Sequence, residues 1–459
     1  MSELGDPADV QGTLLRGYRV EYARHLVLRI DDPVGARDFL GSLVSGSSEV
    51  PQITTAEAWG KPKPESFLNV GITCAGLRRL GVEDRFLATF PSAFRRGATD
   101  TLTKQRVGDT GPSDSSHWIG HLGEGDAVHL ILTLWITRFK TERRRVTNTL
   151  RHAFGPAGQV LSVLDAASLP GNKVHFGYTD NISQPVIETA PAPKRRRATE
   201  GAGWVPITHV LLHSRRVQPE DLSTNSSFAA FRVLKQDVAA FERFLDERSA
   251  ETGLDRELLA AKICGRWRNG VPLVRSPDTC EPAPPLTDEE LNDFDYLDDP
   301  LGYRCPIGSH IRRTHPRSQP VTGGPGHTVR IVRRGMPYGR QFSPEQPDRR
   351  RRGLMGYFIS ADPFNFEFVM SEWVNKSDFV RSNPADGSNA RYNISGQDVL
   401  IGVNDRKDSS FTLPVGPEGA RPPVNRVLNE FGPFVTTKGG AYVYLPSITA
   451  LRYLASLRP

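Results

Sequence analysis

Cysteine is scarce in this sequence, and the cysteines that occur are far apart. The chain of 459 residues has four, at positions 74, 264, 280 and 305, and no two of them form a CxxC pair. Disulfide-stapled proteins need a denser set, and cysteine-based metal motifs need close pairs. We therefore expect unpaired structural thiols in a reducing compartment.

Long apolar runs are also missing. No stretch approaches the roughly 20 apolar residues that a membrane-spanning helix needs. The opening residues, MSELGDPADVQGTLLRGY, lack the basic segment and apolar core of a secretory signal. These absences predict a cytoplasmic protein that does not enter a membrane.

The basic residues of the sequence are not arranged as in a nucleic-acid-binding protein. The net charge is +6, but short runs such as residues 143–145 and 349–352 supply much of the excess. Such runs usually decorate solvated loops, and no aromatic residues alternate with them as on a nucleic-acid-binding surface. We therefore expect no nucleic-acid partner.

Two segments of the chain follow the same order of secondary structure. LRIDDPVGARDFL in the first half and FRVLKQDVAAFERFL in the second each predict a strand, a turn with Asp, and a helix. Further apolar runs predict strands at residues 127–136 and 226–234. The pattern suggests two α+β halves of related design, with a loop or linker at residues 189–203 between them.

The last part of the chain predicts a β-hairpin. PFVTTKGGAYVYLPS, residues 433–447, has two β-rich runs around Lys-Gly-Gly. Glycine pairs between such runs are typical of tight hairpin turns.

Two neighbouring basic segments could hold a ligand. CPIGSHIRRTHPR places His310 among arginines, and HTVRIVRRGMPYGR predicts a strand that delivers Arg333 just before a Gly-Met-Pro turn. Nearby guanidiniums keep an imidazole in the neutral form that binds metals, and they can bind carboxylate groups of a ligand. Taken alone, a structural histidine is the commoner interpretation.

A lone carboxylate, Asp180, lies in the segment HFGYTDNISQP. Aspartate stabilises glycine- and asparagine-rich turns through its own side chain. A positioned carboxylate can also take up a proton and return it. The local sequence leaves both roles open.

These three segments resemble those of the dye-decolorizing (DyP-type) peroxidases. FGYTDNISQP is similar to the family's distal aspartate segment, SHIRRTHPR to its proximal histidine segment, and RIVRRGMPYG to its distal arginine strand. FLNVGITCAGLRRLG, GRWRNGVPL, FNFEFVMSEWVN and FVTTKGGAYVYLPS are also similar, in the same order. The resemblance covers nearly the whole chain, and the ordered set is more specific than any one motif.

On the proximal side, the resemblance implies that His310 is the axial ligand of heme iron. Asp398, in SGQDVLIG, matches the family's carboxylate behind that histidine. A carboxylate bonded to the far ring nitrogen fixes the tautomer and raises the electron donation of the ligand.

On the distal side, the resemblance implies that Asp180 accepts and donates the protons of peroxide and that Arg333 stabilises the leaving oxygen. Leu354 and Phe358, in RGLMGYFISAD, would contribute to binding heme as apolar residues on one face of a strand.

The resemblance also implies the fold and the activity. The fold would be two ferredoxin-like halves of the dimeric α+β barrel superfamily, with antiparallel sheets and peripheral helices. Residues 1–215 would carry the distal aspartate loop, and residues 216–459 the heme ligand and distal arginine. The protein would use heme b to reduce hydrogen peroxide through a ferryl intermediate and to oxidise dyes and phenols, and it would form homodimers.

Three residues depart from the family pattern. Asn181 follows Asp180 where the family has glycine, Gly356 stands where an aromatic wall is common, and His315 replaces the usual asparagine. Asparagine tolerates a positive φ, so the turn at Asp180 can persist. Asn181 and Gly356 motivate an alternative function, a heme carrier, a sensor or a specialised heme oxidase or oxygenase on the same scaffold.

Overall fold

Most of the chain is described by a computed structural model. It covers residues 3–47, 50–138, 140–188, 204–213, 215–322, 324–325, 329–380, 395–415 and 424–458. The linker predicted at residues 189–203 lies outside these ranges.

Eight strands form the main sheet, in the order β10-β11-β7-β14-β2-β3-β1-β4. Their bounds are β1 Tyr22–Ile30, β2 Ser66–Ile72, β3 Leu130–Ile136, β4 Gly158–Ala167, β7 Ser227–Gln236, β10 Val332–Tyr338, β11 Gly353–Ser360 and β14 Val435–Leu445. Short pairs flank this sheet: β5 Val186–Glu188 with β6 Trp204–Pro206, β8 Pro320–Val321 with β9 Gly324–Pro325, and β12 Ser410–Pro414 with β13 Asn425–Asn429.

Twelve α-helices accompany the sheet among the residues described, and several of them pack on one of its faces. They are α1 Gly12–Leu15, α2 Pro33–Ser45, α3 Cys74–Arg79, α4 Asp84–Leu87, α5 Ser92–Arg96, α6 Thr101–Val107, α7 Lys140–Phe154, α8 Val238–Thr252, α9 Arg256–Cys264, α10 His310–Thr314, α11 Phe364–Phe368 and α12 Ile448–Ser456. A π-helical segment, Val369–Val374, continues α11. Among the residues covered, no helix is both long and apolar enough to cross a membrane.

The two strand–helix units predicted from the sequence are confirmed. In the first, β1 is followed by α2, which begins after Asp32 because that side chain accepts hydrogen bonds from the free amides of Val34 and Gly35. In the second, β7 is followed by α8, and Asp237 accepts from the amide of Ala240 in the same way. The Asp turns therefore serve as helix N-caps.

The sheet is built from two sets of four strands. β1 to β4 come from the first half of the chain, and β7, β10, β11 and β14 come from the second. The sets meet where Tyr444 of β14 pairs with Ile72 of β2. The outermost strands, β4 and β10, also approach each other, so the sheet curls toward a barrel. This α+β arrangement of antiparallel strands and outer helices agrees with the predicted fold.

Alternation along the strands divides the core in two. The side chains at alternate positions, such as Phe231 and Tyr357, fill the inside of the curled sheet. The intervening positions, such as Leu26 and Leu132, pack against α2 and α12 on the other face. Chemistry-bearing residues therefore face either the curl or the helical side.

The predicted C-terminal hairpin is wrong. Residues 435–445 form the single strand β14, with a bulge between Thr437 and Gly439. A Cβ on Gly439 would lie 2.4 Å from Leu122 Cδ1, and a Cβ on Gly440 would lie 3.0 Å from Arg232 Nη1. These glycines are needed because side chains pack closely against the strand, so they do not mark a turn.

Candidate active site

His310 is the first residue of α10, a five-residue helix rather than a loop. Its Nδ1 lies 2.9 Å from Asp398 Oδ2. About 27% of the His310 side chain is exposed, whereas that of Asp398 is fully buried. In the part of the chain that the structure describes, Nε2 of His310 has no hydrogen-bond partner. One ring nitrogen is thus fixed, and the other is available to a ligand.

Asp398 is anchored on both of its carboxylate oxygens. While Oδ2 faces His310, Oδ1 accepts from the amides of Leu400 at 2.9 Å and Ile401 at 3.0 Å. Burial raises the pKa of Asp398, but the charge of His310, its hydrogen bond and the Arg313 guanidinium outweigh burial and bring the pKa below its ordinary value. Asp398 therefore stays ionised behind His310.

The two arginines that follow His310 are committed to the protein itself. Arg313 is fully buried, and its guanidinium donates to the carbonyl oxygens of Trp373 and Lys376 and to Ser395 Oγ. Arg312 donates to Gln319 and to the Asp299 and Cys305 carbonyls. The expectation that arginines next to His310 bind a ligand's carboxylates is therefore wrong for these two side chains.

Asp180 lies in a turn that backbone hydrogen bonds hold from both sides. Its amide donates to the Asn172 carbonyl at 2.8 Å, and Asn172 Nδ2 donates to the Asp180 carbonyl at 2.9 Å. The preceding residue, Thr179, donates from its amide to the Arg268 carbonyl. Of the described groups, the amide of Asn181 is the one hydrogen-bonded to the Asp180 carboxylate, at 2.7 Å.

Asn181 adopts a φ of 62°, in the left-handed region that asparagine tolerates. Its side chain is exposed and accepts a long hydrogen bond from Gln184 Nε2, at 3.4 Å. The turn thus persists without glycine, and the side chain points away from the interior.

Arg333 lies within β10, two residues before Gly335. The predicted Gly-Met-Pro turn is wrong, because residues 335–337 continue the strand and pair with β11. The Arg333 amide donates to Gln184 Oε1 at 3.0 Å, and its Nη2 donates to the Ser183 carbonyl at 2.9 Å. Sequence reasoning missed both partners, although they belong to the same segment as Asp180.

Asp180 and Arg333 are neighbours without being an ion pair. Arg333 is hydrogen-bonded to Ser183 and Gln184, which follow Asp180 in the same segment, so the guanidinium lies beside the Asp180 turn. Burial lowers the pKa of Arg333, and the Asp180 charge acts in the opposite direction. Yet among the described residues no carboxylate lies within 4.0 Å of the Arg333 guanidinium. Both groups therefore keep hydrogen-bonding capacity for a shared ligand.

A buried cationic cluster joins the two sides of the site. Arg330 Nη1 donates to His315 Nε2, and burial together with Arg330, Arg317 and Arg333 lowers the pKa of His315 far below its usual range. Burial and the charges of Arg333 and Arg317 lower the pKa of Arg330 to about 9. The arginine environment expected at His310 thus occurs at His315, one helical turn further along.

This donor set fits a heme. His310 offers a free imidazole nitrogen with a carboxylate behind it, as heme-ligating histidines do. For Arg330, as for Arg333, no carboxylate is found within 4.0 Å among the described side chains, and anionic groups would compensate the buried charges. The carboxylates of heme are such groups.

β11 supplies the apolar residues expected beside the heme. Leu354 and Phe358 are half-buried and alternate with side chains that point into the curl. Between them, a Cβ on Gly356 would lie 2.2 Å from the Arg334 carbonyl oxygen and 2.4 Å from Gly335 Cα. The glycine is required by the close approach of β10, so Gly356 is explained by strand packing.

Proteins similar to this chain over nearly its whole length are peroxidases. The chain is 30% identical over 472 residues to the multifunctional dye peroxidase DyP2 of Amycolatopsis sp. (strain ATCC 39116 / 75iv2), covering 97% of this chain and 95% of that protein. The chain belongs to the dye-decolorizing peroxidase family. It is therefore a heme peroxidase, an oxidoreductase that acts on small molecules.

Other members of the family agree over the same length. The dye-decolorizing peroxidase of Exidia glandulosa is 28% identical over 468 residues, covering 96% of this chain and 86% of that protein. A dye-decolorizing peroxidase solved in complex with 2,6-dimethoxyphenol has a TM-score of 0.81 at 26% identity, covering 98% of this chain and 100% of that one. No family model matches the sequence.

Proposed function

We propose that this dye-decolorizing peroxidase reduces hydrogen peroxide and oxidises small organic reductants, dyes and phenols among them. The observation that carries the proposal is that Arg333 is hydrogen-bonded to the segment that carries Asp180, while no ion pair joins the two side chains among the described residues. A base and a cation that neutralised each other would have little left for a substrate. Here Arg333 stands on a strand and Asp180 in a turn, and each keeps hydrogen-bonding groups for a substrate.

Asp180 is proposed to move the protons of peroxide. Its carboxylate takes a proton from one peroxide oxygen and returns it to the other, which leaves as water. Because one described donor, the Asn181 amide, reaches this carboxylate, most of its lone pairs remain available.

Arg333 is proposed to stabilise the charge that develops on the leaving oxygen. Its Nη2 and its amide are held by Ser183 and Gln184, which orients the remaining N–H groups of the guanidinium. A fixed cation needs no reorganisation during the reaction, and this makes it effective in a buried site.

His310 and Asp398 are proposed to hold the iron, with Leu354 and Phe358 beside the porphyrin. When bound, heme supplies the iron and porphyrin that store the oxidising equivalents of peroxide. Asp398 keeps the proton of the imidazole on Nδ1, so that Nε2 presents its lone pair to the metal.

Stopped-flow absorption after mixing the heme-reconstituted protein with peroxide tests these roles. Asp180→Asn and Arg333→Leu are each expected to bind heme but to lose about 10²- to 10⁴-fold in the rate of the Soret change, the range for a positioned proton-transfer group. Arg333→Lys retains the charge and is expected to lose less.

His310→Ala is expected to abolish stable heme binding. Rates equal to the parent's in both distal variants would contradict the assigned roles. If the parent protein binds heme but the heme does not react with peroxide, the carrier or sensor function is favoured. Asn181 and Gly356 no longer support that alternative, because the conformation of the turn and the packing of the strands explain them.

Several finer points stay predictions. We infer heme b, hydrogen peroxide as oxidant, homodimers, a cytoplasmic location and a division into residues 1–215 and 216–459. Phe176 and Tyr178, which precede Asp180, pack in one hydrophobic core with Phe241 and Leu259. The distal turn therefore packs against residues of the second half of the chain, although it belongs to the first. Extraction of the cofactor and light scattering test the first and third of these predictions.

A further inference from the structure

Three polar side chains form a hydrogen-bonded chain inside the curl of the sheet. Tyr357 Oη lies 2.6 Å from Thr133 Oγ1, which lies 2.9 Å from His25 Nδ1. His25 and Thr133 are fully buried, and Tyr357 is 3% exposed. These groups come from β11, β3 and β1, and the peroxidase chemistry proposed above uses none of them.

The surroundings of His25 define the direction of this chain. Its Nε2 is buried with no hydrogen-bond partner among the described groups. The ring stands edge-on to aromatic neighbours, 4.9 Å from Phe231 and 6.1 Å from Trp135 between centroids. An N–H edge is favoured next to aromatic faces. We therefore assign the proton to Nε2, and with that assignment Nδ1 accepts from Thr133 and Thr133 accepts from Tyr357.

The chain lies directly behind the candidate active site. Tyr357 precedes Phe358, and Phe358 pairs across the sheet with Arg333. Adjacent residues of a strand point to opposite faces. Tyr357 therefore stands on the opposite face of β11 from Phe358, with only the strand between the two side chains.

We propose that Tyr357 is an internal electron donor to the oxidised heme centre, with Thr133 and His25 as its proton relay. This inference rests on the proposed function, which supplies the oxidant: a heme centre that has taken oxidising equivalents from peroxide. It adds a place where the enzyme holds one equivalent when no reductant is bound.

The step balances in electrons and protons. One electron passes from the Tyr357 phenol to the heme centre, which is reduced by one equivalent. The phenol O–H bond breaks, and its proton bonds to Thr133 Oγ1 while the hydroxyl proton of Thr133 bonds to His25 Nδ1. The products are a neutral phenoxyl radical and an imidazolium, and an electron from an external reductant reverses both transfers.

Burial sets the protonation state of Tyr357 and of His25 before the electron leaves. It raises the pKa of Tyr357, so the phenol keeps its proton until an electron leaves. It also lowers the pKa of His25 to about 3, against the opposing charge of Asp165, so the imidazole is neutral before the electron leaves and is a weaker base than an exposed histidine. A phenol that has lost an electron is a strong acid, and it can protonate even so weak a base.

A second buried tyrosine provides a matched comparison. Tyr442 is 2% exposed, and its hydroxyl has no hydrogen-bond partner among the residues described. Ala230 of β7 pairs with Tyr442 on one side and with Phe358 on the other, so the three residues are cross-strand neighbours. Proximity alone would favour Tyr442, whereas a need for a proton acceptor favours Tyr357.

Freeze-quench electron paramagnetic resonance tests the proposal. The heme-reconstituted protein is mixed with one equivalent of hydrogen peroxide without reductant, in chains carrying ordinary or ring-deuterated tyrosine. The parent is expected to give a tyrosyl signal that narrows on deuteration. Tyr357→Phe is expected to lose it, and Tyr442→Phe to retain it.

Thr133→Val keeps the shape of the side chain and removes the relay. The tyrosyl signal is then expected to form at least about a hundredfold more slowly, the lower end of what a positioned proton acceptor contributes. A signal unchanged in Tyr357→Phe, or formed equally fast in Thr133→Val, overturns the proposal.

The Soret change with peroxide separates this proposal from the proposed function. It is expected to be equally fast in the parent, Tyr357→Phe and Thr133→Val. If the parent's heme does not react with peroxide, the same variants are oxidised with hexachloroiridate. A tyrosyl signal that then depends on Tyr357 and Thr133 supports the relay, and one that does not rules it out.

Discussion

The two carboxylates of the site are held in opposite ways. Asp398 is fully buried, and its oxygens accept from His310, Leu400 and Ile401. Asp180 is half-buried, and one described donor, the amide of the next residue, reaches its carboxylate. A carboxylate that fixes the orientation of a ligand must be saturated, whereas one that exchanges protons must keep lone pairs free. The degree of hydrogen bonding thus separates the supporting acid from the reacting one.

Removing each carboxylate is expected to show the largest difference between Asp398 and Asp180. Asp398→Leu is expected to lower the free energy of unfolding by about 3–5 kcal/mol, since it strands His310 and two buried amides. Asp180→Leu is expected to cost less than about 1 kcal/mol, because its carboxylate supports one local bond. Urea unfolding measures both, and equal losses would show that the two sites do not differ in the way described.

The response to acid sharpens the comparison. The pKa of His315 is far below its usual value, so the unfolded chain binds a proton below about pH 6.5 that the native protein rejects. The free energy of unfolding should therefore fall by up to about 1.4 kcal/mol per pH unit below that point. Asp398, whose pKa is lowered, contributes stability that is lost only below about pH 3.9.

His315→Asn separates these two windows. The variant is expected to show a shallower loss of stability between pH 7 and pH 5 than the parent, amounting to about 2 kcal/mol less over that range. Urea midpoints at several pH values measure the slope. Parallel profiles for parent and variant would mean that His315 titrates as freely as an exposed histidine.

Loosening the distal arginine tests how much its support matters. Gln184→Leu removes the acceptor for the Arg333 amide and is expected to slow the reaction with peroxide about tenfold, or about 1.4 kcal/mol in the barrier. Gln184→Asn keeps an uncharged amide and serves as the conservative comparison. Heme binding should be unchanged in both, and equal rates would show that the strand alone positions Arg333.

The smallest effect is expected at Asn181. Asn181→Gly restores the family residue at a φ of 62° and should change the free energy of unfolding by less than about 1 kcal/mol. The peroxide rate should stay within about twofold, because the side chain faces solvent. Asn181→Val, which resists that φ, is the contrast; if it behaves like glycine, the turn does not depend on the conformation of this residue.

The sequence was a good guide where a local signal has one structural meaning. β1 and α2 follow from an apolar run, an N-capping Asp and Pro33 at the first helical turn, all of which act within a few residues. The ordered motifs also led to His310 and Asp398, which the structure brings within 2.9 Å although they are far apart in the chain.

The sequence was a poor guide where glycine has two meanings. Gly439 and Gly440 suggested a turn, and Gly335 suggested the start of another, yet all three lie within strands. Glycine is needed at these positions because Leu122, Arg232 and β11 pack closely against them. The local sequence does not show which distant groups will pack there. The supporting role of Gln184 was missed for the same reason, since a strand 149 residues away supplies its partner.

The position of β14 has a consequence for how the protein is made. This strand follows every other strand of the main sheet in chain order, yet it lies between β7 and β2 in the middle of the sheet. Until β14 has been synthesised, no backbone strand pairing joins β7 to β2 in the described sheet, and each of these two strands exposes an edge. Domains generally fold as units during synthesis. Here the sheet is completed only when its last strand joins, so both open edges need protection from other chains until then.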